Sequence, residues 1–94
     1  MHFVYILYSV SADKYYVGET KDLNERLFLH RAKAFEKSST KIADDWEVYW
    51  TYDCGSLLVA RRVEKHIKRM KSRKYYQDLK QHPDIINKLI AKLI

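Results

Sequence analysis

The run KYYVGETKDLNERLFLH, residues 14–30, sets two tyrosines and a glycine ahead of an arginine and a histidine spaced four apart. A free phenol titrates near ~10 and is a poor base at neutral pH. Nearby cations or a bound metal stabilise its phenolate, and a phenol so tuned can take a proton from an attacking water. Tyr16 is one such phenol, and Tyr5 is a second one earlier in the chain. The guanidinium of Arg26 suits a bidentate grip on phosphate and the extra charge of its transition state. A salt bridge with Asp22 or Glu25 is the plainer use of the same residue. His30 falls in line with Leu23, Leu27 and Ala34, so it reads equally as a reacting group and as a buried core histidine. Glu64 is the one acid in RRVEKHIKRMKSRK, residues 61–74, among eight Lys and Arg. A lone carboxylate, with waters and the substrate's own phosphate, is a common way to hold Mg²⁺ or Mn²⁺. The alternative for Glu64 is an ion pair with Lys68 one turn on, worth only ~0.3–0.5 kcal/mol.

Those residues need a scaffold. HFVYILYS, residues 2–9, is aromatic and β-branched on both faces and reads as a central strand. VSADK supplies a turn, and KYYVGE, residues 14–19, reads as the returning strand. That pairing lets Tyr5 and Tyr16 lie near one end of the sheet, while alternation sends Tyr15 to the opposite face. Gly18 closes the strand, where a missing side chain permits an unusual backbone angle or a close approach. Asp22 followed by Glu25 fits a capping box that opens a helix over about 22–36. KSSTKIADD, residues 37–45, reads as a loop. WEVYWTYD, residues 46–53, alternates with Trp46, Val48, Trp50 and Tyr52 on one face, a strand pattern. A helix over about 56–73 follows, with Val59, Val63, Ile67 and Met70 as its buried stripe. HPDIINKLIAKLI closes the chain with an amphipathic helix at about 83–94, Pro83 standing near its start. The order β-β-α-β-α-α implies an α+β fold: a small three-stranded, mostly antiparallel sheet packed with helices.

Ninety-four residues suit one domain spanning 1–94. With 47% hydrophobic and 32% charged residues, the chain is far from the composition of a disordered segment. Cys54 is the single cysteine, which excludes an internal disulfide and suits a reducing compartment. The four histidines and that cysteine lack zinc-ligand spacing. The N-terminal apolar run FVYILY is too short for a signal peptide, and nothing approaches a membrane span, so the expected location is cytoplasmic with no membrane partner. The net charge of +6 is uneven: residues 1–47 hold 7 basic and 8 acidic residues, whereas 48–94 hold 11 and 4. A basic stripe of this kind attracts phosphate backbones through counterion release, although a solvated helix face has the same composition. Lys68, Lys71 and Arg73 are the candidates for guiding such a backbone.

FVY at 3–5, a ten-residue gap and YVG at 16–18 resemble the two half-motifs of the GIY-YIG nuclease family. DLNERLFLH and SLLVARRVEKHIKRMKSRK continue the likeness, which runs from residue 3 to about 74 and is closest to the short free-standing members. Their domain in turn resembles the N-terminal cleavage module of the nucleotide-excision nuclease subunit. The resemblance implies a Mg²⁺-dependent endonuclease acting on DNA. It implies Tyr16 as the favoured base, Tyr5 positioning water or phosphate, Arg26 and His30 as site residues, and Glu64 as the metal ligand. Three departures stand out. Phe3 replaces the first glycine of the family's name, Glu19 stands where some members carry lysine, and RKYYQDLK lacks the asparagine that several members place after the metal glutamate. Gln77 is the nearest amide there, and Asn87 lies further along. The same residues also allow a non-catalytic nucleic-acid-binding module that keeps the fold and the basic helix.

Overall fold

The computed structural model describes residues 1–33 and 42–93. Its elements are β1 (Phe3–Ser9), β2 (Lys14–Thr20), α1 (Leu23–Arg31), β3 (Glu47–Asp53), α2 (Leu57–Met70), α3 (Arg73–Gln81) and α4 (Asp84–Leu93). The three strands form one antiparallel sheet in the order β2-β1-β3. The apolar β1 lies in the middle, where both of its faces are covered, and β2 is left as an edge. This is the expected α+β fold, with one helix more than the periodicity suggested.

The sheet separates two cores. Val4 and Ile6 of β1 and Val17 of β2 point to one face, where Val63 and Ile67 of α2, Leu79 of α3, and Ile86 and Leu89 of α4 pack on them. Tyr5 and Leu7 point to the other face and pack with Ala43 and Trp46, against Leu23 and Leu27 of α1. Arg31 Nε donates to the Trp46 carbonyl at 2.7 Å, tying the end of α1 to the chain entering β3.

Local chemistry fixes the element ends. The Asp22 carboxylate accepts from the Glu25 backbone N–H at 3.0 Å and opens α1. That helix stops at Arg31 because Lys33 adopts a left-handed conformation, φ 56°. It is therefore shorter than the expected 22–36. Ala34 of the expected stripe, and most of the expected loop at 37–45, lie outside the described residues.

Two further expectations are corrected. The helix predicted over 56–73 ends at Met70, where Lys71 turns left-handed (φ 46°, ψ 42°). Ser72 then caps a new helix, its hydroxyl accepting from Tyr75 N–H at 3.2 Å. Met70 is exposed as a result, and Leu79, Tyr75 and Tyr76 of α3 supply apolar surface in its stead. In β3 the alternation is interrupted: Ile6 pairs with Trp50 but Leu7 pairs with Val48, leaving Tyr49 as an extra residue. The bulge turns Trp46 and Val48 to one face and Trp50 and Tyr52 to the other.

Candidate active site

Because β2 is the edge strand, α1 and α2 can flank it from opposite faces of the sheet, and the candidate residues meet along that edge. The turn from β2 into α1 is held by Thr20, whose hydroxyl accepts from Asp22 N–H at 3.1 Å. A helix started so close to the strand brings Arg26 and His30, one turn apart, onto the face that carries Tyr5 and Tyr16. Gly18 stands opposite Tyr5 in the β1–β2 register. A Cβ at Gly18 would come within 2.6 Å of Tyr5 Cζ and closer still to the hydroxyl. Of the two uses expected for this glycine, the close approach is the one found: the Tyr5 ring lies across the bare backbone of β2.

So placed, the Tyr5 hydroxyl is hydrogen bonded to His30 Nε2 at 3.0 Å. Tyr5 is only 1% exposed. Its hydroxyl thus faces His30 inside the sheet's second core, with the Tyr16 ring beside it. Burial pushes the Tyr5 phenol well above the usual range, with the neighbouring Tyr16 adding to the rise and Arg26 opposing it. His30 is also buried, and burial together with the Arg26 charge lowers it to about 4. At neutral pH this pair is thus a neutral phenol and a neutral imidazole. His30 thus occupies the buried core position that one of its two readings expected.

Tyr16 is half-buried beside them, its ring centroid 4.8 Å from that of His30 and 6.4 Å from that of Tyr5. From α2, Lys68 Nζ reaches 5.9 Å from the Tyr16 ring centroid and 3.3 Å from a Glu64 carboxylate oxygen. The ion pair that the sequence offered as the alternative for Glu64 is formed, and its lysine also lies over the tyrosine. A continuous series, Tyr5–His30–Tyr16–Lys68–Glu64, thereby runs from the core outward. No helix among the described residues is long and apolar enough to cross a membrane.

Among the described residues no group of three or more His, Cys, Asp and Glu side chains gathers as a metal site. Glu64 is the carboxylate that would meet a divalent cation. Its side chain is 22% exposed, and the competing Lys68 is itself half exposed, so the oxygens are reachable. One hard oxygen ligand completed by water and phosphate fits Mg²⁺ or Mn²⁺.

The remaining candidates spread out. Lys71 sits exposed at the corner between α2 and α3. Arg73 turns to the far end of the hairpin, where Nη1 bonds Asp13 at 2.9 Å and the guanidinium lies over the Tyr15 ring at 5.4 Å. Glu19 shares the face of Tyr15 and Val17 and is paired with His2. Gln77 is exposed on α3, and Asn87 Oδ1 accepts from the Tyr52 hydroxyl at 3.1 Å. Two roles had little sequence signal: the seat that Gly18 makes for Tyr5, and the place of Lys68 between Tyr16 and Glu64. The four-residue spacing of Glu64 and Lys68 carried half of the second.

A family model described as the GIY-YIG catalytic domain matches residues 1–77. The match takes in every candidate residue named above except Asn87 and stops within α3. No curated protein and no solved structure matches the chain.

Proposed function

The chain belongs to the GIY-YIG nuclease family, and on that premise we propose that it is a metal-dependent endonuclease hydrolysing DNA phosphodiester bonds with low sequence selectivity. The observation that carries the reading is the junction at the β2 edge, where a half-buried phenol lies within 5.9 Å of a lysine that is paired with the lone acid of a basic helix.

Tyr16 borders both the neutral core pair and the charged surface, and as its phenolate it takes the proton of the attacking water, becoming the neutral phenol. Buried Tyr5 and His30 are positioning residues: neutral and hydrogen bonded, they fix the Tyr16 ring without competing for the proton. Arg26 orients the phosphate and stabilises the charge that grows on its oxygens. Glu64 would hold the divalent cation, which would supply positive charge to the phosphoryl oxygens. Lys68 and Lys71 draw in the backbone. Phosphate contacts carry no sequence information, so binding is nonspecific and weakens steeply with salt. One active site per chain makes one cut, so a chain acting alone produces a nick.

Glu19 in place of a lysine and the Lys68–Glu64 pair favour one second reading, a nucleic-acid-binding module without cleavage. Nicking of supercoiled plasmid by wild type and Glu64→Ala, each with Mg²⁺ and with chelator, separates the two. Nicking that needs both Mg²⁺ and Glu64 is the expected result. Equal nicking by both proteins sinks the nuclease assignment, and salt-sensitive binding without cleavage selects the module.

A further inference from the structure

The family match ends at residue 77, and α4 lies wholly beyond it. Where α4 packs on α2 and α3 it leaves a pocket of about 240 Å³ lined by His66, Tyr75, Ile85, Lys88, Leu89 and Lys92. Four of these six residues come from α4, so the pocket is a product of the added helix. His66 projects from the flank of α2 opposite to Glu64 and Lys68, since two residues turn a helix by about 200°.

The lining has two chemistries. Ile85, Leu89 and Tyr75 make an apolar surface, with the His66 ring set edge-on to Tyr75 at 5.9 Å between centroids. Around it stand the exposed ammonium groups of Lys88 and Lys92, with Arg62 nearby, bonded to the Leu93 carbonyl at 2.8 Å. Asp84 offsets part of this charge through an exposed pair with Lys88 at 3.5 Å. The volume is below the ~300–1,000 Å³ of drug-sized sites and suits a single flat ring system. An aromatic and apolar surface under a cationic rim is complementary to a planar ring that carries anionic groups.

We propose that this pocket takes an unpaired base of a single-stranded nucleic acid, with the adjoining phosphates on Lys88 and Lys92. The inference rests on the nucleic-acid partner proposed above, but not on cleavage. It narrows the substrate class to strands that carry an unpaired nucleotide. Base stacking tolerates any sequence, in keeping with low selectivity.

The test is a methyl and aromatic NMR titration of metal-free wild type with (dT)4, which reads the pocket whether or not the chain cleaves DNA. The Ile85 and Leu89 methyls and the Tyr75 ring are expected to shift together and saturate. In Lys88→Ala/Lys92→Ala, both exposed sites, binding should weaken and the slope of log K against log salt should fall by about 1.4, at ~0.7 per phosphate on a single strand. Shifts confined to Tyr16 and the outer face of α2, with the pocket methyls unmoved, overturn the proposal. So does an equal response of those methyls to a tetraglutamate peptide, which assigns the rim to anions in general. Pocket shifts in a protein that nicks no plasmid would remove the nuclease reading and leave this one standing.

Discussion

Tyr15 and Tyr16 are adjacent in β2, yet strand alternation gives them opposite employment. Tyr15 faces α3, where its ring lies 4.7 Å from Tyr8, 5.3 Å from Tyr49 and 5.2 Å from Tyr76. Cations close this cluster: Arg73 over Tyr15, and Lys80 over Tyr49 at 4.3 Å. The Tyr8 hydroxyl donates to Asp13 at 2.7 Å, and Arg73 holds the same carboxylate. Four elements are stapled by aromatic edges and charges that satisfy one another. Tyr16 faces the other way, toward a buried neutral pair on one side and a lysine–glutamate pair on the other. The first cluster spends its polar groups on itself, whereas the second leaves its charged end partly exposed at the sheet edge. Tyrosine content alone therefore says little about function; the face of the strand decides it.

The sharpest way to break this contrast is at Arg26, whose charge reaches both Tyr5 and His30. Arg26→Ala should lower the nicking rate by about 10²–10³-fold, the usual cost of losing one transition-state donor. A rate within a few-fold of wild type would remove Arg26 from the chemistry.

Gly18→Ala drives a methyl into the Tyr5 ring and should destabilise the fold by about 1–3 kcal/mol. In a domain of this size each kcal/mol lowers Tm by roughly 4–8 °C, so a thermal melt reads it directly. An unchanged Tm would mean that the ring is free to move aside.

His30 gives the site face a signature in pH. Its folded value of about 4 lies below the ordinary ~6.5, so the unfolded chain binds the proton first on acidification. Stability should therefore fall as pH drops from about 6.5 to about 4, with a slope approaching one proton. Denaturant melts of His30→Gln should lack that segment, and a slope identical to wild type would contradict the buried neutral imidazole. Asp45 adds a separate acid limb: hydroxyl and backbone donors from Ser9 and Ser11 lower it to about 2.

The smallest effect belongs to the Tyr15 face. Its Asp13–Arg73 bridge is exposed on both sides, so Arg73→Ala should cost no more than about 1 kcal/mol in a denaturant melt. A loss of several kcal/mol would make that bridge a principal anchor of α3.

The elements that the sequence exposed most clearly were those whose signal is local. The apolar run of β1, the cap at Asp22 and the start of α2 at Ser56 each follow from a few neighbouring residues. What stayed hidden depends on distant partners or on one backbone angle. WEVYWTYD alternates without a flaw, and only pairing with β1 shows that Tyr49 is surplus. Nothing in the residue Lys71 announces a left-handed turn, so α2 and α3 read as a longer helix followed by an unassigned stretch. For the site, residue types and spacing led to the family. The seat of the Tyr5 ring was not legible, because it rests on the bare backbone of Gly18 thirteen residues away, across the hairpin.

The most direct measurement is plasmid nicking by Tyr16→Phe beside Tyr15→Phe, each checked by thermal melt. Both substitutions keep the ring and remove one hydroxyl. Tyr16→Phe should lose about 10²-fold or more, the contribution typical of a general base, with little change in Tm, while Tyr15→Phe should retain activity within a few-fold. Equal rates from the two proteins would contradict the division of labour between the faces of β2.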